Sequence, residues 1–201
     1  MGSVRSDDGT GTASATTGTV LTRPLGEGPT RSFLRFVERP RFGWVDGDTT
    51  VVAGGSTATV TAEGAGRFEA IRREADALFD GLSTPEAAPR AARPRLLGGV
   101  AFHEGHEPPA GGATWAGYPG ALFVLPTVQI TDTGARAWLT VTARGEQSHD
   151  RATQRLDEWE RRLEALPEQS LAVSPEIEDR RPTPSEAGWH EQVEAATAVR
   201  P

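Results

Sequence analysis

The stretch LGGVAFHEGHEPPAGGATWAGYPGALFVLP, residues 97–126, decides the fold of this chain. It begins with an apolar run that contains a glycine pair and ends with a second apolar run that closes on Leu125-Pro126. Between the two lies a polar, Pro- and Gly-rich excursion with Trp115 and the turn Tyr118-Pro119-Gly120. Short apolar runs bounded by turn residues are typical of buried strands. The stretch therefore predicts two buried strands joined by a long loop.

Further strands are predicted on both sides of this stretch. The segment 32–38 alternates around Phe33 (or Leu34) and Phe36, and Asp46-Gly47-Asp48 between apolar runs is a hairpin signal. The segment 57–62 alternates with Val60 inward. In chain order, the predicted strands are 32–38, 42–45, 50–53, 57–62, 95–103, 121–130 and 137–143.

Helices are predicted where apolar residues recur three and four apart. The first covers about 66–82, with a stripe of Phe68, Ile71, Ala75, Leu78, Phe79 and Leu82. The second covers 150–166, with a stripe of Ala152, Leu156, Trp159, Leu163 and Leu166. Thr183-Pro184-Ser185-Glu186 is a capping box that opens a third helix, with Trp189, Val193 and Ala196 on one side. This order predicts an α+β protein with a largely antiparallel sheet and helices on one face.

The composition excludes several classes of protein. The 201 residues fit one domain or part of a larger one, and the net charge of −7 argues against a nucleic-acid binder. No apolar run is long enough to cross a bilayer, so no membrane association is expected. Cysteine is absent, which excludes disulfides and indicates the cytoplasm. All 21 basic residues are Arg, so the chain has no lysine for a Schiff base or a Walker A loop.

The segment His103-Glu104-Gly105-His106-Glu107 is the candidate for metal binding, because it gathers two imidazoles and two carboxylates. It lies in a Gly/Pro-rich loop and lacks the helical i, i+4 spacing that aims two histidines at one ion. A solvated polar loop is the favoured interpretation.

Other candidate patterns also have structural interpretations that we favour. The segment 26–32 reads as a phosphate loop, but it precedes a predicted strand and Pro29 has no N–H to donate. Asp150, next to His149, is explained by its position at a helix N-terminus, and no Gly-x-Ser-x-Gly elbow supports a hydrolase triad. Arg90, Arg93 and Arg95 would attract a carboxylate or an acidic partner, yet they lie in a linker that we expect to be solvated.

The aromatic residues are interpreted as packing residues rather than as a stacking site for a ring ligand. They are Trp44, Trp115, Tyr118, Trp138 and Trp159.

The order of these parts resembles the amino-terminal half of the chorismate-utilising enzymes, and the isochorismate synthases among them. The strand Gly98-Gly99-Val100-Ala101-Phe102, the loop with a Trp, and the strand that ends in Leu125-Pro126 are the most specific part of the likeness. The likeness covers about residues 31–200 and consists of packing patterns. Its other parts are Pro40-Arg41-Phe42-Gly43-Trp44, 67–71, Trp138-Leu139-Thr140 and 189–200.

The resemblance implies an isomerase that converts chorismate into isochorismate with Mg²⁺, on a menaquinone or siderophore route, of which menaquinone is the more prevalent in the family. In that family a lysine beyond the last helix activates the attacking water, and glutamates further on hold the metal. This chain has no lysine. We therefore carry over no catalytic, cofactor-binding or metal-ligating residue, and we expect no Mg²⁺ to bind residues 1–201.

Composition and the resemblance together set the expected domains. These are a disordered tail over 1–30, an amino-terminal α+β subdomain over 31–166, a surface linker over 167–182, and over 183–201 the start of a helix that leads to a missing carboxy-terminal chorismate-binding half. The chain then reads as an amino-terminal fragment that is inactive alone. Chorismate is the small-molecule partner of the full-length enzyme, and the missing half is the protein partner.

Two alternatives remain open. The chain also fits a fragment of anthranilate synthase component I or of aminodeoxychorismate synthase, although the Gly-Gly-Val-Ala-Phe strand and the Trp-to-Leu-Pro segment favour isochorismate synthase. In the second alternative it is a non-catalytic protein that binds a partner through unpaired sheet edges. Open apolar faces and strand edges predict poor solubility or oligomerisation.

Overall fold

The computed structural model describes residues 17–26, 30–86, 88–102, 118–165 and 184–198. The strands in these ranges are β1 (Gly18–Leu25), β2 (Arg41–Asp46), β3 (Thr49–Gly54), β4 (Ala58–Ala62), β5 (Leu82–Ser83), β6 (Leu97–Val100), β7 (Ala121–Leu125), β8 (Val128–Asp132) and β9 (Ala137–Arg144). The helices are α1 (Thr30–Phe36), α2 (Arg67–Asp80), α3 (Ser148–Glu164) and α4 (Glu186–Ala198), with a 3-10 turn at Arg90–Ala92. The chain divides into a unit Met1–Glu168 and a unit Gln169–Pro201, which contains α4.

Two sheets organise the first unit. The larger has six strands in the order β2-β3-β8-β9-β1-β5, and the smaller has three in the order β4-β7-β6. Every pair in them is antiparallel except β1 with the two-residue strand β5. The predicted α+β class with a largely antiparallel sheet is therefore confirmed.

Helices α1 and α3 cover one face of the larger sheet. Their buried side chains pack with those of β3, β8 and β9 in one apolar cluster, whose removal from water stabilises the fold. The predicted stripe of α3 is confirmed for Ala152, Leu156, Trp159 and Leu163, which are all buried. A second cluster, of Val60, Leu78 and Leu125, joins α2 to the smaller sheet.

Two connections carry the chain directly from one sheet into the other. Strand β3 continues into β4 through residues 55–57, and β7 continues into β8 through residues 126–127. The backbone N–H of Thr127 donates to the carbonyl of Gly54 at 3.1 Å. The hydroxyl of Thr57 donates to the carbonyl of Thr142 in β9 at 3.1 Å. These bonds tie the two connections to each other and to the larger sheet.

The expectation of a disordered tail over 1–30 is wrong for residues 18–25. They form β1, which pairs with β9 from Gly18↔Arg144 to Leu25↔Ala137. Among the described residues, β5 pairs only with Gly18 and Thr19 on the far side of β1, so no described strand pairs with Pro24 there and its missing N–H is tolerated. Residues 1–16 lie outside the described part of the chain.

The predicted strand 32–38 is also wrong, since residues 30–36 form helix α1. Phe33 and Val37, spaced four apart, are buried, whereas Phe36 is 56% exposed. The single strand predicted over 121–130 is two strands, because Pro126 and Thr127 separate β7 from β8. The hairpin is confirmed as β2 and β3, with Gly47 at a positive φ of 55° in its two-residue turn.

Helix α2 confirms the helix expected over 66–82, but one residue of its predicted stripe faces outward. Phe68 is 56% exposed, and its neighbour Arg67 is 4% exposed. The guanidinium of Arg67 donates to the carbonyls of Gly64 and Ala101, which holds the start of α2 against the end of β6.

The second unit contributes α4, which confirms the helix predicted after the capping box. Its Trp189 and Val193 are exposed within that unit. No helix in the described ranges has the length and apolar character needed to span a membrane.

Candidate functional site

A groove of about 600 Å³ lies between the β2–β3 hairpin and strand β6. Phe42 and Trp44 form its wall on the larger sheet, and Leu97 and Phe123 form its wall on the smaller one. The side chains of Phe42 and Trp44 fall on the face of the larger sheet opposite α1 and α3, because they share a face with Ala53 and Val51 in the β2–β3 register. The register thus creates a recess with mostly apolar walls.

Arg95 supplies the positive charge of this groove. Its Nη1 donates to the carbonyl of Ala91 at 2.9 Å and to the hydroxyl of Thr131 at 3.1 Å, and it forms no ion pair among the described residues. Burial lowers the pKa of the Arg95 guanidinium below its ordinary value, because a charged group loses hydration there. The side chain still remains a cation at neutral pH.

Asp46 lines the same groove, and its side chain is exposed. Of the described residues that line the groove, Arg95 and Asp46 are the titratable ones. A cation with neutral partners beside aromatic walls suits a small molecule that carries a carboxylate and an apolar ring. The chemistry that this groove offers is therefore binding, with no histidine among its described lining residues.

The linker that carries Arg95 is docked on the larger sheet, so the expectation of a solvated linker is wrong. Ala92 is fully buried, and its carbonyl accepts a hydrogen bond of 2.7 Å from the hydroxyl of Thr140. The side-chain amide of Gln129 donates to the carbonyl of Arg93 at 3.2 Å. Arg90 and Arg93 themselves are exposed. The buried polar side chains of Gln129 in β8 and Thr140 in β9 therefore hold this linker on the sheet.

The aromatic candidates separate into different roles. Trp159 is buried against Phe33, and Trp138 is half-buried in β9, as packing residues should be. Trp44 is 61% exposed and Tyr118 is 57% exposed, so neither of them is a core residue. Trp115 lies outside the described residues, as does the whole segment 103–107 proposed for metal binding.

The remaining candidates gain no support from the structure. The segment 26–32 connects β1 to a helix rather than to a strand, so our reason for setting it aside was wrong. Residues 27–29 lie outside the described part, and α1 is only seven residues long. Asp150 lies in the first turn of α3, as expected for a partner of the helix N-terminus, and both it and His149 are exposed.

Mg²⁺ is the metal that the resemblance implies, and it takes oxygen ligands in octahedral geometry, several of which are waters. In the ranges that the structure covers, no three His, Asp or Glu side chains come together as ligands for one ion. The described residues therefore offer no cluster that would hold the ion by three protein side chains.

Comparisons with known proteins give one family and one structural likeness. A family model described as "Chorismate binding enzyme" matches residues 30–199. No curated protein matches the chain. Among solved structures, the menaquinone-specific isochorismate synthase MenF of Escherichia coli is similar, with 20% identity and a TM-score of 0.47. The match covers 92% of this chain and 37% of the MenF chain, so this chain spans little more than a third of that protein.

Proposed function

Because this chain belongs to the chorismate binding enzyme family, we propose that it is the amino-terminal part of an isochorismate synthase, which converts chorismate into isochorismate. The observation that carries the proposal is the family match over residues 30–199, which includes nearly every described element. The choice of isochorismate synthase within this family is supported by the strand pair β6 and β7. This pair lies in the stretch that resembles isochorismate synthases most specifically. The proposed route is menaquinone synthesis, in the cytoplasm.

In this proposal the described residues supply a scaffold rather than the reacting groups. The two linked sheets and the docked linker give a rigid support, and α4 begins the helix that leads into the second half of the enzyme. We propose that the base and the metal ligands belong to that second half, because residues 1–201 contain no lysine and the described residues hold no cluster of three metal-ligating side chains. We propose chorismate as the ligand of the assembled protein.

The test is a product assay with chorismate and Mg²⁺, on residues 1–201 alone and on the same chain produced with the rest of its reading frame. We expect no turnover by residues 1–201 and isochorismate from the longer protein, lost when EDTA removes the metal. Ammonium or glutamine in a parallel reaction distinguishes the sister enzymes. Formation of anthranilate or aminodeoxychorismate would show that the protein is one of the sister enzymes instead. Turnover by residues 1–201 alone would overturn our assignment of the catalytic groups to the second half.

A further inference from the structure

The guanidinium of Arg95 uses one of its nitrogens to hold its own place in the groove. Nη1 donates to the carbonyls of Ala91 and Arg93, at 2.9 and 3.4 Å, and to the hydroxyl of Thr131 at 3.1 Å. Nε and Nη2 form no hydrogen bond with a described residue, and neither nitrogen is buried from solvent. These two nitrogens form the edge of a guanidinium that binds both oxygens of a carboxylate at once.

The register of the larger sheet places an aromatic wall at a fixed distance from this cation. Thr131 in β8 is paired with Val51 in β3, and Val51 is paired with Trp44 in β2. Paired residues share a face, so these three side chains form one row across the sheet. Because neighbouring strands are about 4.8 Å apart, the Cα atoms of Thr131 and Trp44 are separated by about 10 Å. A ligand whose carboxylate lies at Arg95 would therefore place a ring over Val51 and against Trp44.

The acidic side chain among the described lining residues, Asp46, is remote from Arg95. Asp46 lies two residues beyond Trp44 on the same face of β2, which adds about 7 Å along the strand. Its Cα is therefore about 12 Å from that of Thr131, the residue that Arg95 contacts. The ammonium of an α-amino acid lies on the carbon next to the carboxylate. With the carboxylate bound to Arg95, Asp46 is poorly placed to pair with that ammonium, which would instead face the guanidinium and be repelled.

We propose that this groove binds a small ring acid that carries one carboxylate and no ammonium group. The carboxylate pairs with Nε and Nη2 of Arg95, and the ring lies over Val51, between Trp44 and the apolar wall that contains Leu97. The volume of about 600 Å³ is within the range of small-molecule sites, and Val51 is 3% exposed, as expected for the floor of such a site. These residues all belong to the present chain, so the binding can be measured on residues 1–201.

Three probes that differ by one group test the class of ligand. Hydrocinnamate carries a ring and a carboxylate, hydrocinnamide replaces the carboxylate with a neutral amide, and phenylalanine adds an ammonium beside the carboxylate. Isothermal titration calorimetry with residues 1–201 at neutral pH should show binding of hydrocinnamate. The affinities for hydrocinnamide and for phenylalanine should be weaker by about tenfold or more, since the first loses a charge-assisted hydrogen bond and the second gains a repulsion.

Two pairs of variants test the position of the site. Arg95→Gln removes the cation and should weaken hydrocinnamate binding by about tenfold or more. Its control is Arg93→Gln, because the side chain of Arg93 is exposed and does not line this groove. Trp44→Ala removes the aromatic wall and should also weaken the binding. Val45→Ala is the control for that change, since Val45 is 72% exposed on the other face of β2, and the affinity should stay the same.

Three outcomes would overturn this proposal. They are no binding of hydrocinnamate at millimolar concentration, binding of hydrocinnamide or phenylalanine as tight as that of hydrocinnamate, and unchanged affinity in a folded Arg95→Gln variant. Circular dichroism identifies a variant that fails to fold, and the three probes together with the Trp44→Ala pair then decide. None of these measurements uses turnover of chorismate, so binding in the groove and the proposed function succeed or fail separately.

Discussion

The ring of Phe33 in α1 lies 5.0 Å from the ring of Trp159 in α3, measured between centroids, with the two planes tilted by 50°. Phe33 is fully buried, and Trp159 is 6% exposed. The pair joins the two helices that cover the larger sheet. This contact holds α1 in place. A helix of only seven residues would have little stability of its own without such packing.

We expect Phe33→Ala to lower the free energy of unfolding by about 3–5 kcal/mol, since it opens a cavity beside Trp159 and the sheet. Urea denaturation followed by tryptophan fluorescence measures it. The control is Phe36→Ala in the same helix, where the side chain is 56% exposed and the change should stay within about 0.5 kcal/mol. If both substitutions lowered the free energy of unfolding equally, α1 would not pack through Phe33 as described.

The two neighbouring glycines of β6 should respond differently to the same substitution. A Cβ on Gly98 would overlap the carbonyl oxygen of Leu122 and lie 2.7 Å from the Cα of Phe123, whereas a Cβ on Gly99 meets no described atom within 4 Å. Gly98→Ala should therefore cost about 3 kcal/mol or more, because the β6–β7 backbone has to move. Gly99→Ala should stay within about 1 kcal/mol of the unchanged chain. Thermal unfolding compares the stabilities of the two variants. The prediction is wrong if Gly98→Ala is as stable as Gly99→Ala.

The docked linker gives a prediction about protease sensitivity. Thr140→Val keeps the shape of the side chain but leaves the buried carbonyl of Ala92 without its donor, which should cost about 1–3 kcal/mol. Trypsin should then cut faster after Arg90, whereas the bond after Arg93 is protected because Pro94 follows it. The matched substitution Thr61→Val, on the exposed side of β4, should change neither stability nor cleavage. Unchanged cleavage in Thr140→Val would mean that this hydrogen bond does not hold the linker.

Much of the fold follows from local patterns in the sequence. The hairpin of β2 and β3 is marked by a turn that needs a positive φ at Gly47, and α3 is marked by apolar residues at helical spacing. These signals are strong because each is complete within a few residues. The strand pair β6 and β7 is recognisable for the same reason, since turn residues bound both apolar runs.

The elements that the sequence analysis predicts wrongly are those that depend on residues far away in the chain. The Gly- and Thr-rich start of β1 reads as a tail, and only its pairing with β9, more than a hundred residues away, makes it a strand. In α1, the apolar residues 33, 34, 36 and 37 fit an alternating strand as well as a helix, and the cluster with Trp159 decides between the two. Tertiary context overrides local propensity in both cases.

The groove was not predictable as a whole, although several of its parts were singled out. Arg95 and Trp44 were both candidates, for different reasons. What brings them together is the linker, held by Gln129 and Thr140 on a sheet face whose polar character appears only after folding. A Pro-flanked, Arg-rich segment gives no local sign that it lies on such a surface.

The direct passage of β3 into β4 and of β7 into β8 has a mechanical consequence. Force applied to the smaller sheet would be transmitted into the larger sheet through covalent chain and through the bonds at Thr57 and Thr127, with no flexible hinge between them. The two sheets should therefore yield together, and a pulling experiment on the smaller sheet should produce a single rupture event.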